Sequence, residues 1–375
     1  MALFNEQTIF LSFLKAGLWE KDVQLSKSKD IEFKEVYRLA EEQSVVGLVT
    51  AGFEHTIDVK VPKEITLIFV GNSLQLEQRN LAMNAFVADL IGRLRDKDIY
   101  AILVKGQGLA QCYERPLWRA SGDVDLFLSN DNYQKAVHLL TPIASDVSFE
   151  ITSKKHISFL INGWEVELHG TLSSGLWRSI DRALDNVQYA VFHEGRVRSW
   201  MNGDTQVFLP GPDEDVVFVF AHILQHFFRG GIGLRQICDW CRLLWTYKSQ
   251  IDLSVLEGRL QAMGVMSEWE AFAALAINYL GMPEDAMPFY SSGKKWNRKA
   301  ERALEFVMET GNFGHNRDIS YYKKYPFLVF KTISFFRHCR DIWRYFLIFP
   351  LDAIKVWWHM VTLGLELTIK GKSHE

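Results

Sequence analysis

The chain has 375 residues, 48% hydrophobic and 23% charged, with a formal net charge of −3. That length exceeds one typical core and implies two or three subdomains, and the charge argues against coating nucleic acid by bulk electrostatics while leaving room for local basic patches. Four cysteines, at positions 112, 238, 241 and 339, exclude a disulfide framework.

The opening stretch MALFNEQTIFLSFLKAG carries an acidic residue ahead of its apolar run and no basic leader. It does not read as a signal peptide, so a cytoplasmic protein is expected. Residues 1–95 are predicted to form an N-terminal helical region. IEFKEVYRLAEEQSVVGLVTAGF and LQLEQRNLAMNAFVADLIGRLRDKD both place apolar residues at three- and four-residue spacing.

Character changes in residues 96–212, where a small mixed sheet is expected. IYAILVKG is a short β-branched run ending at glycine, and GDVDLFLS is a second strand. NDNYQKAVHLL follows as a helix, with Asn130 or Asp131 as its expected cap. HISFLINGWEVELHG is the clearest local signal in the chain. Asn162-Gly163 sits between two alternating runs, as a two-residue type I′ hairpin requires. VRSWMNGDTQVFLP suggests a second hairpin. After PGPDED the pattern is helical again, giving a helical region at 213–320 and a helical tail at 321–375. The fold class that follows is α+β.

Strand side chains alternate, so Asp123 and Asp125 point one way and Val124, Leu126 and Leu128 the other. Same-side positions stand roughly 6.5 to 7 Å apart at Cα. Two such carboxylates can converge on a pair of cations about 3.5 to 4 Å apart, and hard ions such as Mg²⁺ favour carboxylate oxygens. A bare Asp-x-Asp is more often a solvated strand end. The hairpin shifts that balance. Counting from the turn, Ile161 faces Trp164, Ser158 faces Glu167 and His156 faces His169. One face then carries His156, Ser158, Leu160, Glu165, Glu167 and His169, a polar floor with a third carboxylate. The other face is apolar.

ILVKGQGLAQCYERPLWRASGDVDLFL followed by WEVELHG resembles the nucleotidyltransferase superfamily that includes DNA polymerase β, in particular a bacterial branch of it. The resemblance is tightest over residues 100–170 and extends loosely into FAHILQHFFRGGIGLRQICDWCRLL. It implies a nucleotidyltransferase core that moves an NMP from an NTP to a hydroxyl-bearing acceptor and releases pyrophosphate. By this resemblance Asp123 and Asp125 hold two Mg²⁺ (or Mn²⁺) ions, and Glu167 holds the one that activates the acceptor. Gly106 lets the backbone approach phosphate, and Lys105 and Arg119 neutralise the triphosphate. His169 either orients Glu167, touches phosphate or pairs with His156. Gln107 departs from the wider pattern, which has Gly or Ser there; this bears on the phosphate contact rather than on the metal site.

Other candidates carry less. Glu165 reads as rim, Arg115 as surface, and Lys154 and Lys155 as solvated residues at the hairpin start. His222 and His226 share a helix face and read as a buried pair or a wall of the cleft. Arg235 and Asp239, also four apart, suggest an ion pair. Cys238 and Cys241 form a lone C-x-x-C without partners, so no metal is expected there.

From Tyr321 onward nine Lys/Arg stand against four Asp/Glu, giving a tail of about +5 and a remainder of about −8. Pro350, Asp352 and Lys355 interrupt its most apolar stretch, so no spanning helix is expected. FKTISFFRHCRDIWRYF suits a membrane interface or an acidic partner. It also suits packing against the body with the basic ends reaching water, which is the favoured reading. Two further functional readings stand beside the enzyme: an inactive relative that binds a nucleotide or a partner, and a membrane-peripheral accessory protein.

Overall fold

The computed structural model describes residues 5–25, 31–148, 155–314 and 327–370. Its architecture is α+β. Seven strands form one mixed sheet: β1 Ala101–Val104, β2 Val124–Leu128, β3 Asp146–Val147, β4 His156–Ile161, β5 Trp164–His169, β6 Val197–Asn202 and β7 Thr205–Pro210. They lie in the order β3-β4-β5-β2-β1-β7-β6. At the centre β1 and β2 pair antiparallel. The β4–β5 hairpin joins β2 in parallel, and the β6–β7 hairpin joins β1 in parallel.

The first hairpin turns as its sequence demands. Asn162 and Gly163 have φ of 52° and 80°, and positive φ at both central residues defines the type I′ turn that suits strand twist. Register follows, with Ile161 opposite Trp164, Ser158 opposite Glu167 and His156 opposite His169. Alternation then sorts the sheet into two faces. Val124, Leu126, Ile157, Phe159 and Val166 pack against Leu90 and Leu94 of helix Lys63–Arg95 and Tyr133 of helix Asn130–Leu140. On the other face, Ile102, Val104 and Phe127 join a larger core built with helices Arg178–His193 and Pro212–Arg229. That second face also carries the polar floor.

Two local expectations change. Ser129, not Asn130 or Asp131, is the N-cap after β2, because Ser129 keeps extended backbone while Asn130 is already helical. Asn130 instead accepts a hydrogen bond from Lys155 Nζ. Helix Arg178–His193, between the hairpins, is absent from the sequence reading. Its Ile180, Leu184, Val187 and Val191 nevertheless recur at helical spacing. Helix Pro212–Arg229 starts with a proline whose missing N–H costs nothing there, followed by Asp213, Glu214 and Asp215, which suit the positive end of the helix.

The tail forms helices Phe327–Ile348 and Pro350–Lys370. Tyr345, Ile348, Phe349 and Ala353 are buried in the larger core. The Tyr345 ring meets Phe227, Phe228 and Phe306 at centroid distances of 5.1 to 5.5 Å. Phe336, Trp343 and Trp358 remain mostly exposed. Among the described residues no helix is long and apolar enough to cross a membrane.

Candidate active site

Lys105 follows β1 with φ 57° and ψ −142°, and Gly106 follows with φ 36°. A non-glycine residue held there costs about 1–3 kcal/mol and persists only where its surroundings enforce it. Nζ of Lys105 lies 2.8 Å from Oδ1 of Asp125. A Cβ on Gly106 would meet only the Asp123 carbonyl, at 3.4 Å. Its positive φ, more than crowding, is what favours glycine here.

Asp125 stands opposite Glu167 in the parallel register of β2 and β5. Asp123 lies just before β2. Carboxylate oxygens of all three lie within 4.8 Å of one another. Two imidazoles complete the floor. His169 Nε2 is 2.8 Å from Asp125 Oδ1 and 3.4 Å from Glu167 Oε2, and His156 Nε2 is 3.1 Å from Glu167 Oε2. The sheet therefore brings Lys105, Gly106, Asp123, Asp125, Glu167 and His169 to one place.

Charge at this place is unbalanced. Asp125, and then burial, pushes the Asp123 carboxyl above its ordinary value. Burial also opposes ionisation of Asp125 and Glu167. Lys105 and a hydrogen bond from His169 nevertheless hold Asp125 below the usual range, and His156 and His169 do the same for Glu167. Burial works against the charges on Lys105 and His169, and their carboxylate partners outweigh it and raise both. Three clustered carboxylates with so few counter-charges fit a divalent cation by donor type and by spacing.

Two adjoining hollows of about 280 and 270 Å³ meet over Glu167 and Lys105. The first is walled by His156, Ser173, Ser174 and Phe218. The second holds Gly106, Asp123, Asp125, Arg119 and Arg235. His222 and His226 line both, so the histidine pair of helix Pro212–Arg229 is a wall of the cleft. Burial, then Lys105, pushes the His222 imidazole well below its ordinary value and His226 down to about 4. Both are neutral at physiological pH. Their role was legible only in their shared helix face.

Arg119 lines the second hollow but is already engaged. It is buried and donates to both carboxylate oxygens of Asp239 and to Ser121 Oγ. Tyr113 donates to the same Asp239, at 2.8 Å. Arg235 donates to the Ala120 carbonyl, and burial followed by the nearby Arg119 lowers it to about 10. Gln107 turns away from the cleft, its Nε2 donating to Asn80 Oδ1 at 3.0 Å. Glu165 is exposed beside the turn. Arg115 pairs with Glu20 and Glu54. Lys154 lies outside the described residues. Cys238 and Cys241 are buried, and burial raises both thiols, which leaves them unreactive.

A parallel-paired Asp-x-Asp and Glu on an open sheet face, beside a strained Lys-Gly corner, is the arrangement expected of a nucleotidyltransferase. The chain belongs to the family described as uncharacterised nucleotidyltransferase, which matches residues 29–281. Comparison with curated proteins and with solved structures gives no match.

Proposed function

We propose that this protein transfers a nucleotidyl group from an NTP to a hydroxyl-bearing acceptor, using divalent cations held by Asp123, Asp125 and Glu167. The acceptor hydroxyl gives up its proton to solvent as its oxygen bonds to the α-phosphorus, the bond from that phosphorus to the bridging oxygen breaks, and pyrophosphate leaves with the electron pair. The observation that carries this reading is the convergence within 4.8 Å of Asp125 and Glu167, from two parallel strands, and Asp123, from the residues just before β2.

Bound cations would neutralise the phosphate oxygens and make the acceptor hydroxyl more acidic. The chain's own residues do the positioning. Lys105 and His169 fix the Asp125 carboxylate, and His156 fixes Glu167. Gly106 leaves the floor of the second hollow without a side chain, so a phosphate can approach the backbone there. The first hollow, on the Glu167 side, has room and hydroxyl-bearing walls for the acceptor. Prealignment of the two substrates supplies much of the rate.

The test is incubation of the full chain with each labelled NTP, divalent cation and cell extract, following pyrophosphate release and label transfer. Asp123→Ala or Asp125→Ala should abolish both while circular dichroism still reports a folded chain. Unchanged turnover in either variant sinks the reading.

A further inference from the structure

We propose that the cation position beside Glu167 is built for a borderline transition-metal ion such as Mn²⁺ or Zn²⁺ rather than for Mg²⁺, with His156 and His169 as ligands through Nε2. This deepens the reading of the cleft above and shares Glu167 with it.

Hairpin geometry presents the donors. His156 and His169 are opposite each other across β4 and β5, and Glu167 lies two residues before His169 on the same face. The two imidazole centroids are 4.8 Å apart with planes tilted by 36°. Both Nε2 atoms face one oxygen, Glu167 Oε2, at 3.1 and 3.4 Å, and His169 Nε2 also lies 2.8 Å from Asp125 Oδ1. Ligands each about 2.1 Å from a common ion, at ordinary coordination angles, stand about 3.0 to 3.4 Å apart. The two nitrogen-to-oxygen spacings are thus already those of a coordination shell, and the three donor atoms lie within 4.8 Å of one another.

Access and chemistry agree with the geometry. All three side chains are partly exposed, at 19 to 25%, on the wall of the 280 Å³ hollow. An ion could enter and keep open positions there. Imidazole nitrogen favours ions of the Mn²⁺ to Zn²⁺ series, whereas Mg²⁺ prefers oxygen and gives up water reluctantly. Asp123 and Asp125 offer oxygen alone. Two neighbouring positions of different hardness result: an all-oxygen one at Asp123 and Asp125, and a mixed nitrogen and oxygen one at Glu167.

The test uses the chelator-stripped full chain, titrated calorimetrically with Mn²⁺, Zn²⁺ or Mg²⁺ alone, and pulsed EPR of the Mn²⁺-loaded protein. Imidazole nitrogen coupling to Mn²⁺ is expected, with Mn²⁺ and Zn²⁺ binding at least about tenfold more tightly than Mg²⁺. His156→Ala and His169→Ala should each weaken Mn²⁺ at least about tenfold, while Asp123→Asn keeps the nitrogen coupling. Absence of nitrogen coupling in the wild-type chain overturns the proposal, even if a histidine variant fails to fold. So does Mg²⁺ binding as tightly as Mn²⁺, or unchanged Mn²⁺ affinity in folded histidine variants. Pyrophosphate release with Mg²⁺ but no nitrogen coupling would remove this inference and leave nucleotidyl transfer standing. Nitrogen coupling without transfer would do the reverse.

Discussion

Arg119 and Asp239 form a buried two-pronged ion pair, Nε to Oδ1 at 3.0 Å and Nη2 to Oδ2 at 2.6 Å. The pair fastens the loop before β2 to helix Leu234–Tyr247 at the edge of the cleft. Removing one partner strands the other charge out of water, which costs about 3–5 kcal/mol, whereas replacing both with apolar groups can be nearly neutral. Arg119→Met should therefore unfold at much lower urea, and Arg119→Met/Asp239→Leu should recover part of the loss. If Arg119→Met is fully stable yet binds NTP poorly, the guanidinium serves the triphosphate and not Asp239.

The two aspartates of the β2 segment should behave oppositely in the absence of metal. Asp125 is paired with Lys105 and His169, so Asp125→Ala leaves a largely buried ammonium without its partner. The expected loss is on the order of 3 kcal/mol. Asp123 mainly suffers repulsion from Asp125, so Asp123→Asn should raise the Tm measured in chelator. Added Mg²⁺ should stabilise the wild-type chain but not Asp123→Asn, because only the species that binds gains by mass action. A lower Tm for metal-free Asp123→Asn would contradict this account.

Much of the site was legible because its geometry is local. Asn162-Gly163 fixes the turn, the turn fixes register, and register puts Glu167 on the same face as His156 and His169. What no local pattern encodes is the parallel docking of β5 on β2, which brings Glu167 opposite Asp125. Only the family resemblance anticipated it. Arg119 shows the limit of motif reading, since its partner Asp239 lies 120 residues away. The two-residue strand β3 is exposed, with no apolar alternation to announce it.

Gln107, the departure from the superfamily pattern, tests whether that position faces phosphate or fold. Its amide donates to Asn80, and Asn80 Nδ2 in turn holds the Leu117 and Arg119 carbonyls, both at 2.8 Å. The Gln107 and Arg119 contacts are buried and the Leu117 contact is partly so. Asn80→Ala leaves several buried polar groups without partners, each costing about 1–3 kcal/mol. A clear loss of stability is expected from Asn80→Ala and from Gln107→Ala, measured by urea unfolding. Stable variants with weakened NTP affinity would mean instead that the pair reaches the substrate.

Glu268 ties the tail to the body in a pH-dependent way. It sits on helix Met266–Leu280, and burial, followed by a hydrogen bond with Asp352 of the tail helix Pro350–Lys370, pushes its carboxyl up to about 9 from an ordinary 4.5. The nearby Lys299 only partly opposes this. The folded chain therefore holds a proton that the unfolded chain gives up. Linkage then makes stability fall as pH rises from about 4.5 towards about 9, because the folded state binds more protons across that window. Glu268→Gln keeps a donor for Asp352 and cannot ionise. Its Tm should fall less steeply than that of the wild-type chain between about pH 5 and pH 9, with the gap widening at the alkaline end. Because Asp352 directly precedes Ala353, which is buried in the larger core, the alkaline loss should appear first as protease sensitivity within the tail. Parallel Tm curves for the two proteins would show that the carboxyl pair does not hold a proton in the folded state.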